Sequence, residues 1–272
     1  MSSVSFYPTS EPARVWRIGP RKSLIIDRVL IMGILNATPD SFSDGGRYDT
    51  AAAAAVQAAR LAERGADIID IGCQSTRPGF TRIPAGEELS RLGEVRGAIT
   101  DALPEGFPLS IDTFYPEVAR YALRHGVSIV NDVSGLADPA MRGLVAEYGC
   151  GAVLMHSDNI EKSGDPAGDV RTFFEERAAQ CADGGIDAEQ LVLDCGIGFG
   201  KTRAQELFLL RHIGECRALD RPLLAAASRK RVIKEYYLRD GVTLDEATLA
   251  AHREAAASGA QLVRVHEPGG AI

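Results

Sequence analysis

Eight places along the chain set polar, ionisable or amide side chains at the end of a short apolar run: Asn36; Gln74 to Arg77; Asp112; Asn131 with Asp132; His156; Asp194; Ser228 to Lys230; and Arg264 with His266. Arg264 and His266 are two residues apart, so an extended backbone puts both on one face. With Asn36 and Arg77 they suit an anion such as phosphate or pyrophosphate. Mg²⁺ fits there too, as a cation that prefers oxygen ligands and substrate phosphates. Asp112, Asn131 and Asp194 suit a flat heterocycle. A carboxylate accepts two parallel N–H bonds from an aminopyrimidinone edge, and an amide both donates and accepts. Lys230 supplies a donor for a ring carbonyl or nitrogen. Each residue alone also has a structural explanation: Asp112 or Asp132 as a helix cap, Asn131 in a turn, His156 as a satisfied structural histidine. Repetition at the end of every apolar run favours a catalytic rim over capping alone.

Such a rim needs staves. Val29 to Leu35 is a near-continuous apolar run, as expected of a strand covered on both faces. Asn36, Pro39 and the Gly45-Gly46 pair then open it into a polar loop, and a helix is predicted over 51–64, with Thr50 as N-cap and Gly65 just past its end. The same unit recurs. Strands are predicted at 67–72, 109–112, 128–132, 151–155, 191–194, 222–226 and 262–265, and helices at 86–101, 115–124, after Pro139, 169–182, 203–213 and from 231 to about 258. Eight strands alternating with helices, with no linker or composition shift, predict a single (β/α)8 TIM barrel over residues 1–272, its loops gathered on one rim. An open doubly wound sheet is the alternative, but no GxGxxG follows the first strand. Residues 1–14 read as a loose lead-in, and Val15 to Ile18 with Ser23 to Ile26 as a hairpin closing the barrel's bottom. After the eighth strand only Glu267 to Ile272 remain. The barrel is therefore expected to lack its last helix, either because a partner covers the gap or because the chain is cut short.

Gly196-Ile197-Gly198-Phe199-Gly200-Lys201-Thr202 looks like a phosphate loop but fails on spacing. A Walker A motif places four residues between its first glycine and its Gly-Lys pair, and only three stand between Gly196 and Gly200. Close packing beneath a flat ligand, with Phe199 as an aromatic wall, is the preferred reading.

The net charge of −7 and pI near 5.3 argue against nucleic acid as a partner. Five scattered cysteines without a CxxC pair suggest neither disulfides nor zinc and point to a reducing compartment. Without a signal-like segment or a membrane-length apolar run, the expectation is a cytoplasmic protein with no membrane partner.

The motifs MGILNATPDSFSDGG, GADIIDIGCQSTRPG, SIDT, IVNDVSG, LMH, LVLDCGIGFGKT, SRK and VRVH stand in this order between Trp16 and His266. Together they resemble the dihydropteroate synthase family. The resemblance implies a (β/α)8 barrel that joins 6-hydroxymethyl-7,8-dihydropterin pyrophosphate to p-aminobenzoate, releasing pyrophosphate in the presence of Mg²⁺. It also implies a homodimer and a target for sulfonamides, which imitate the second substrate. Carried over by position, Asp112, Asn131, Asp194 and Lys230 would hold the pterin, and Asn36 the metal–pyrophosphate. Arg264 and His266 would lie on the pyrophosphate, so that Asp112, Lys230, Arg264 and His266 form the catalytic set. Loops with Asp40, Phe42, Thr76, Arg77 and Pro78 would close over the site and shape the p-aminobenzoate pocket with Phe199. Where the family usually has Glu, Pro and Ser, this chain has Gln74, Cys195 and Arg231. Arg231 would stand at the p-aminobenzoate carboxylate, either pairing with it or blocking the pocket. The alternatives are a non-catalytic pterin-binding paralogue, a methyl-tetrahydrofolate-binding methyltransferase barrel and a generic phosphate-binding barrel.

Overall fold

The computed structural model describes residues 11–38, 50–74, 82–160 and 164–268. The chain opens with an antiparallel pair, β1 (Arg14–Gly19) and β2 (Lys22–Ile26). Eight parallel strands follow and close into a barrel: β3 (Leu30–Asn36), β4 (Ile68–Gly72), β5 (Leu109–Asp112), β6 (Ile129–Asp132), β7 (Gly151–Met155), β8 (Leu191–Asp194), β9 (Leu223–Ala225) and β10 (Leu262–Val265). Their sequence order is their spatial order, and β10 pairs with β3 to complete the ring. The helices between them are α1 (Thr50–Glu63), α2 (Ala85–Asp101), α3 (Pro116–Arg124), α4 (Pro139–Tyr148), α5 (Pro166–Asp183) and α6 (Arg203–Arg211). Two more, α7 (Arg231–Tyr236) and α8 (Leu244–Ala257), lie between β9 and β10.

Strand parity divides the apolar residues into two cores. Ile69, Ile71, Val130, Leu193 and Val263 point outward and pack under the helices. Met32, Ile68, Ile129, Val153, Val192 and Leu224 point inward and form a plug with Trp16, Ile18 and Ile26 of the hairpin. The expected hairpin therefore does close the bottom, and Trp16 Nε1 is satisfied by donating to the Gln190 carbonyl at 2.9 Å. Above the plug Asp70, Asp112, Asn131, Asp194 and Arg264 occupy inward positions, so the upper half is a polar chamber.

Local boundaries differ where capping chemistry decides them. Helix α5 starts three residues earlier than its periodicity suggests, because the Asp165 side chain accepts from Gly168 N and Pro166 stands in the first turn. Thr50 is the first helical residue of α1 rather than a cap outside it. Arg14, expected in a loose lead-in, opens β1 as a buried side chain donating to Asp220, Glu11 and Gln261. Among the described residues no helix follows β10. The chain beyond it is tied back through Glu267, which pairs with Arg60 at 2.7 Å and Arg64 at 3.7 Å.

Candidate active site

Register sets the first row of the site. Asn36 lies beside Gly72, Gly72 beside Asp112, and Asp112 beside Asn131, across four consecutive strands. Gly72 leaves a gap in this row: a Cβ there would stand 3.7 Å from Asn36 Oδ1 and 3.9 Å from Asp112 Oδ2. Asp194 ends β8 across the chamber, and Arg264 comes from β10. Arg264 Nε donates to Asp70 Oδ2 and Arg264 Nη2 to Asp112 Oδ2, both at 2.7 Å. Asn131 Nδ2 donates to the same Asp70 oxygen at 3.0 Å. The anion side and the heterocycle side, separate in the sequence reading, are thus joined through Arg264. Its Nη1 makes no hydrogen bond to a described residue.

Burial dominates the electrostatics. Burial pushes the Asp112 carboxyl up to about 7, although Arg264 pulls it down. Burial likewise raises Asp194, opposed by Lys230. The Arg264 guanidinium is opposed by burial too, yet Asp70 and Asp112 hold it firmly charged. Lys230 is lowered to about 8 by burial, with Asp194 acting the other way. Asp70 Oδ1, Ser110 Oγ and Asp112 Oδ1 are sealed from solvent without a hydrogen-bond partner among the described residues. Unmet acceptors of this kind call for a ligand, a water or a proton.

The glycine loop after β8 works as a wall. Asp194 Oδ1 accepts from Gly196 N at 2.7 Å, so its other oxygen is left for the chamber. Gly196 has φ +68°, and a Cβ would fall 1.9 Å from the His156 carbonyl oxygen, so only glycine fits. The Lys230 stem crosses Gly198, its Nζ donates to the Ile197 carbonyl, and it stands 4.9 Å from the centre of the Phe199 ring. Lys201 turns inward and straps the loop, donating to the carbonyls of His156 and Phe199 at 3.0 Å and meeting His156 Nδ1 at 2.9 Å.

Asn36, Asp112, Asn131, Asp194, Lys230 and Arg264 therefore converge on one chamber. His266 stands just beyond β10, its Nδ1 2.9 Å from Ser228 Oγ. Arg231 is exposed in the first turn of α7. Asp132 and His156 do not join the chamber. Asp132 accepts from Ser134 N, Ser134 Oγ and Leu136 N, shaping the loop after β6. His156 is lowered to about 4, first by burial and then by Lys201, so it is a neutral structural group. Asp40, Phe42, Thr76, Arg77 and Pro78 lie outside the described residues.

Sequence reasoning missed Asp70, the fully buried hub of this network. Its signal was a carboxylate set two residues before Gly72 in an otherwise apolar strand, on the same face as the row above. It also missed Glu88, which receives a hydrogen bond from the buried Gln74 amide and is pushed by burial to about 7. Nothing in the local sequence of α2 marks Glu88 as an inward residue.

The chamber interleaves amides and carboxylates with the cations Arg264 and Lys230 at the C-terminal ends of a closed parallel barrel, the arrangement of a barrel enzyme. The family model described as pterin binding enzyme matches residues 32–266, and the chain belongs to that family. Similar proteins within it include dihydropteroate synthases. That of Synechocystis sp. is 40% identical over 88% of this chain and 86% of its own length. The Xanthomonas albilineans dihydropteroate synthase solved with 4-aminobenzoic acid has a TM-score of 0.85 and 39% identity, covering 96% of this chain and 95% of that one. The same enzyme solved with 7,8-dihydropteroate gives 0.82 and 38%, over 96% and 95%.

Proposed function

We propose that this chain is a transferase that condenses 6-hydroxymethyl-7,8-dihydropterin pyrophosphate with p-aminobenzoate to give 7,8-dihydropteroate and pyrophosphate. The observation that carries the reading is the Asp112–Arg264–Asp70–Asn131 network at the chamber's centre, in a barrel whose relatives bind the aminobenzoate and the product. Asp194, Asn131 and Lys230 hold the pterin ring by its N–H groups and carbonyl. Arg264, through its unused Nη1, and His266 receive the pyrophosphate. The bond from the pterin methylene to the pyrophosphate oxygen breaks as negative charge gathers on the leaving group, and these cations stabilise that charge. Asp112 would oppose the positive charge left on the pterin methylene. The arylamine nitrogen then forms the new C–N bond and loses a proton. That nitrogen is neutral near pH 7, so positioning rather than strong base catalysis is required.

Mg²⁺ fits this site in one particular way. No group of three or more His, Cys, Asp or Glu among the described residues could cage a metal. Asn36 offers a single amide oxygen at the chamber mouth, which suits Mg²⁺ arriving with a pyrophosphate and keeping several waters. When bound, the ion would supply further charge neutralisation for the leaving group. Arg231 would meet the aminobenzoate carboxylate, and Thr76, Arg77, Pro78 and Phe199 would border that substrate. Sulfonamide binding in the same place, a homodimer and a cytoplasmic location belong to this reading and rest on family membership. No helix of the described chain is long and apolar enough to cross a membrane.

The test is pyrophosphate release with both substrates and Mg²⁺, against controls lacking p-aminobenzoate. Release that requires both substrates and is lost in Asp194→Ala and Lys230→Ala supports the proposal. Pterin binding without turnover would replace it with a non-catalytic pterin-binding reading.

A further inference from the structure

Asp70 touches neither the chamber mouth nor solvent, being 0% exposed, yet it contacts two residues that face the ligand. One of its oxygens accepts from Asn131 Nδ2 at 3.0 Å and from Arg264 Nε at 2.7 Å. We propose that Asp70 is a positioning residue that fixes which end of the Asn131 amide faces the substrate, and that it sets the plane of Arg264 at the same time.

The argument rests on what an asparagine can do. Its two ends are nearly the same shape but opposite in hydrogen-bonding sense, so an amide in an open chamber can present either a carbonyl or an NH₂ group. Turning Asn131 over would set its oxygen against the Asp70 carboxylate oxygen, which already accepts from Arg264, and bring two acceptors within about 3 Å of each other. Asp70 therefore holds Nδ2 downward, and Oδ1, which accepts from no described residue, is the atom offered to the ring. Asn131 is thus tuned to receive a ring N–H and to turn away a ring atom bearing only a lone pair. Arg264 is governed by the same oxygen. Pinned at Nε by Asp70 and at Nη2 by Asp112, its fork cannot rotate, and Nη1 is directed away from both anchors.

The proposal deepens the pterin reading and rests on it for the identity of the ring, but the amide orientation can be tested without any ligand. The chain has only three asparagines, Asn36, Asn131 and Asn159, so selective ¹⁵N labelling gives three side-chain amide pairs. In the unliganded protein the Asn131 pair, assigned by its loss in Asn131→Ser, should contain one proton strongly protected from exchange. That protection should vanish in Asp70→Ala, or in Asp70→Leu, which keeps the shape but has no acceptor oxygen, if the alanine variant does not fold. An unprotected Asn131 amide, or protection that survives both substitutions, overturns the proposal.

The kinetic arm asks whether the orientation matters. Asp70→Leu, which has no acceptor oxygen, should raise the KM for the pterin pyrophosphate about tenfold or more while leaving that for p-aminobenzoate within about twofold. Combined with Asn131→Ser, its effect should be clearly smaller than the product of the two single losses. Equal rises in both KM values, or independent losses, would mean a merely structural role and overturn it. Absence of turnover in the parent protein would instead defeat the transferase reading, and the amide measurement would still decide the role of Asp70.

Discussion

Replacing Arg264 with methionine isolates the electrostatic core of the chamber. The side chain lies 2.7 Å from each of two carboxylates, Asp70 at 0% exposure and Asp112 at 4%. Removing one partner of a buried ion pair destabilises by about 3–5 kcal/mol, since the remaining charge is left without compensation. In Arg264→Met one carboxylate can escape by keeping a proton, and Asp112, already near 7, is the candidate. The sign follows from proton counting. The folded variant holds a proton that the unfolded chain has released above about pH 4, so its stability falls as pH rises. The parent protein releases that proton near pH 7, whereas the variant must retain it. Each unit above 7 therefore widens the gap by about 1.4 kcal/mol. Urea unfolding at pH 6 and pH 8.5 should show a loss about 2 kcal/mol larger at the higher pH, with unchanged m-values. Arg264→Lys should recover part of the stability but little activity, because one ammonium cannot reproduce the fork. Equal losses at the two pH values, or a loss below about 1 kcal/mol at pH 8.5, would refute the reasoning, since both follow from the same buried carboxylates.

Lys230, lowered to about 8 by burial, should lose its proton as the pH rises through that value, so kcat/KM for the pterin substrate should fall about tenfold per unit above pH 8. A profile flat to pH 9.5 would exclude Lys230 as a charged donor. Gly196→Ala should destabilise by about 3 kcal/mol in urea unfolding, from left-handed backbone strain together with the clash against the His156 carbonyl. It should also weaken pterin binding, because Gly196 N orients Asp194, and normal affinity in a folded variant would contradict that link.

The barrel was legible because it is written in period and parity. Eight apolar runs, each spaced by a helix, leave few other arrangements, and even the hairpin beneath them showed as two short alternating segments. That polar side chains would gather on one rim was legible because each ends a buried strand, and parallel strands bring those ends together. Asp132 shows where that argument fails. It stands next to Asn131, but parity turns it out of the chamber and toward the Ser134 and Leu136 amides, a task indistinguishable by residue type alone. His156 fails for another reason: its partner Lys201 comes from a loop 45 residues away, and no local pattern announces such a pairing. Asp70 was hidden because it lies inside an apolar strand, one layer below the strand ends that it orders.

The plug beneath the barrel has a consequence for how the chain assembles. Trp16 finds its hydrogen-bond acceptor 174 residues later, at Gln190, and Arg14 reaches Asp220 across 206. During synthesis the hairpin emerges long before the strands that seat it. Its apolar face must wait, exposed or provisionally paired, until β8 has left the ribosome. Contacts of such long sequence separation are slow to close and leave the intermediate open to aggregation. The same twelve or so residues that seal the finished barrel would then be the point at which a chaperone is most needed, and a release of the hairpin would loosen the floor before any stave parts from its neighbour.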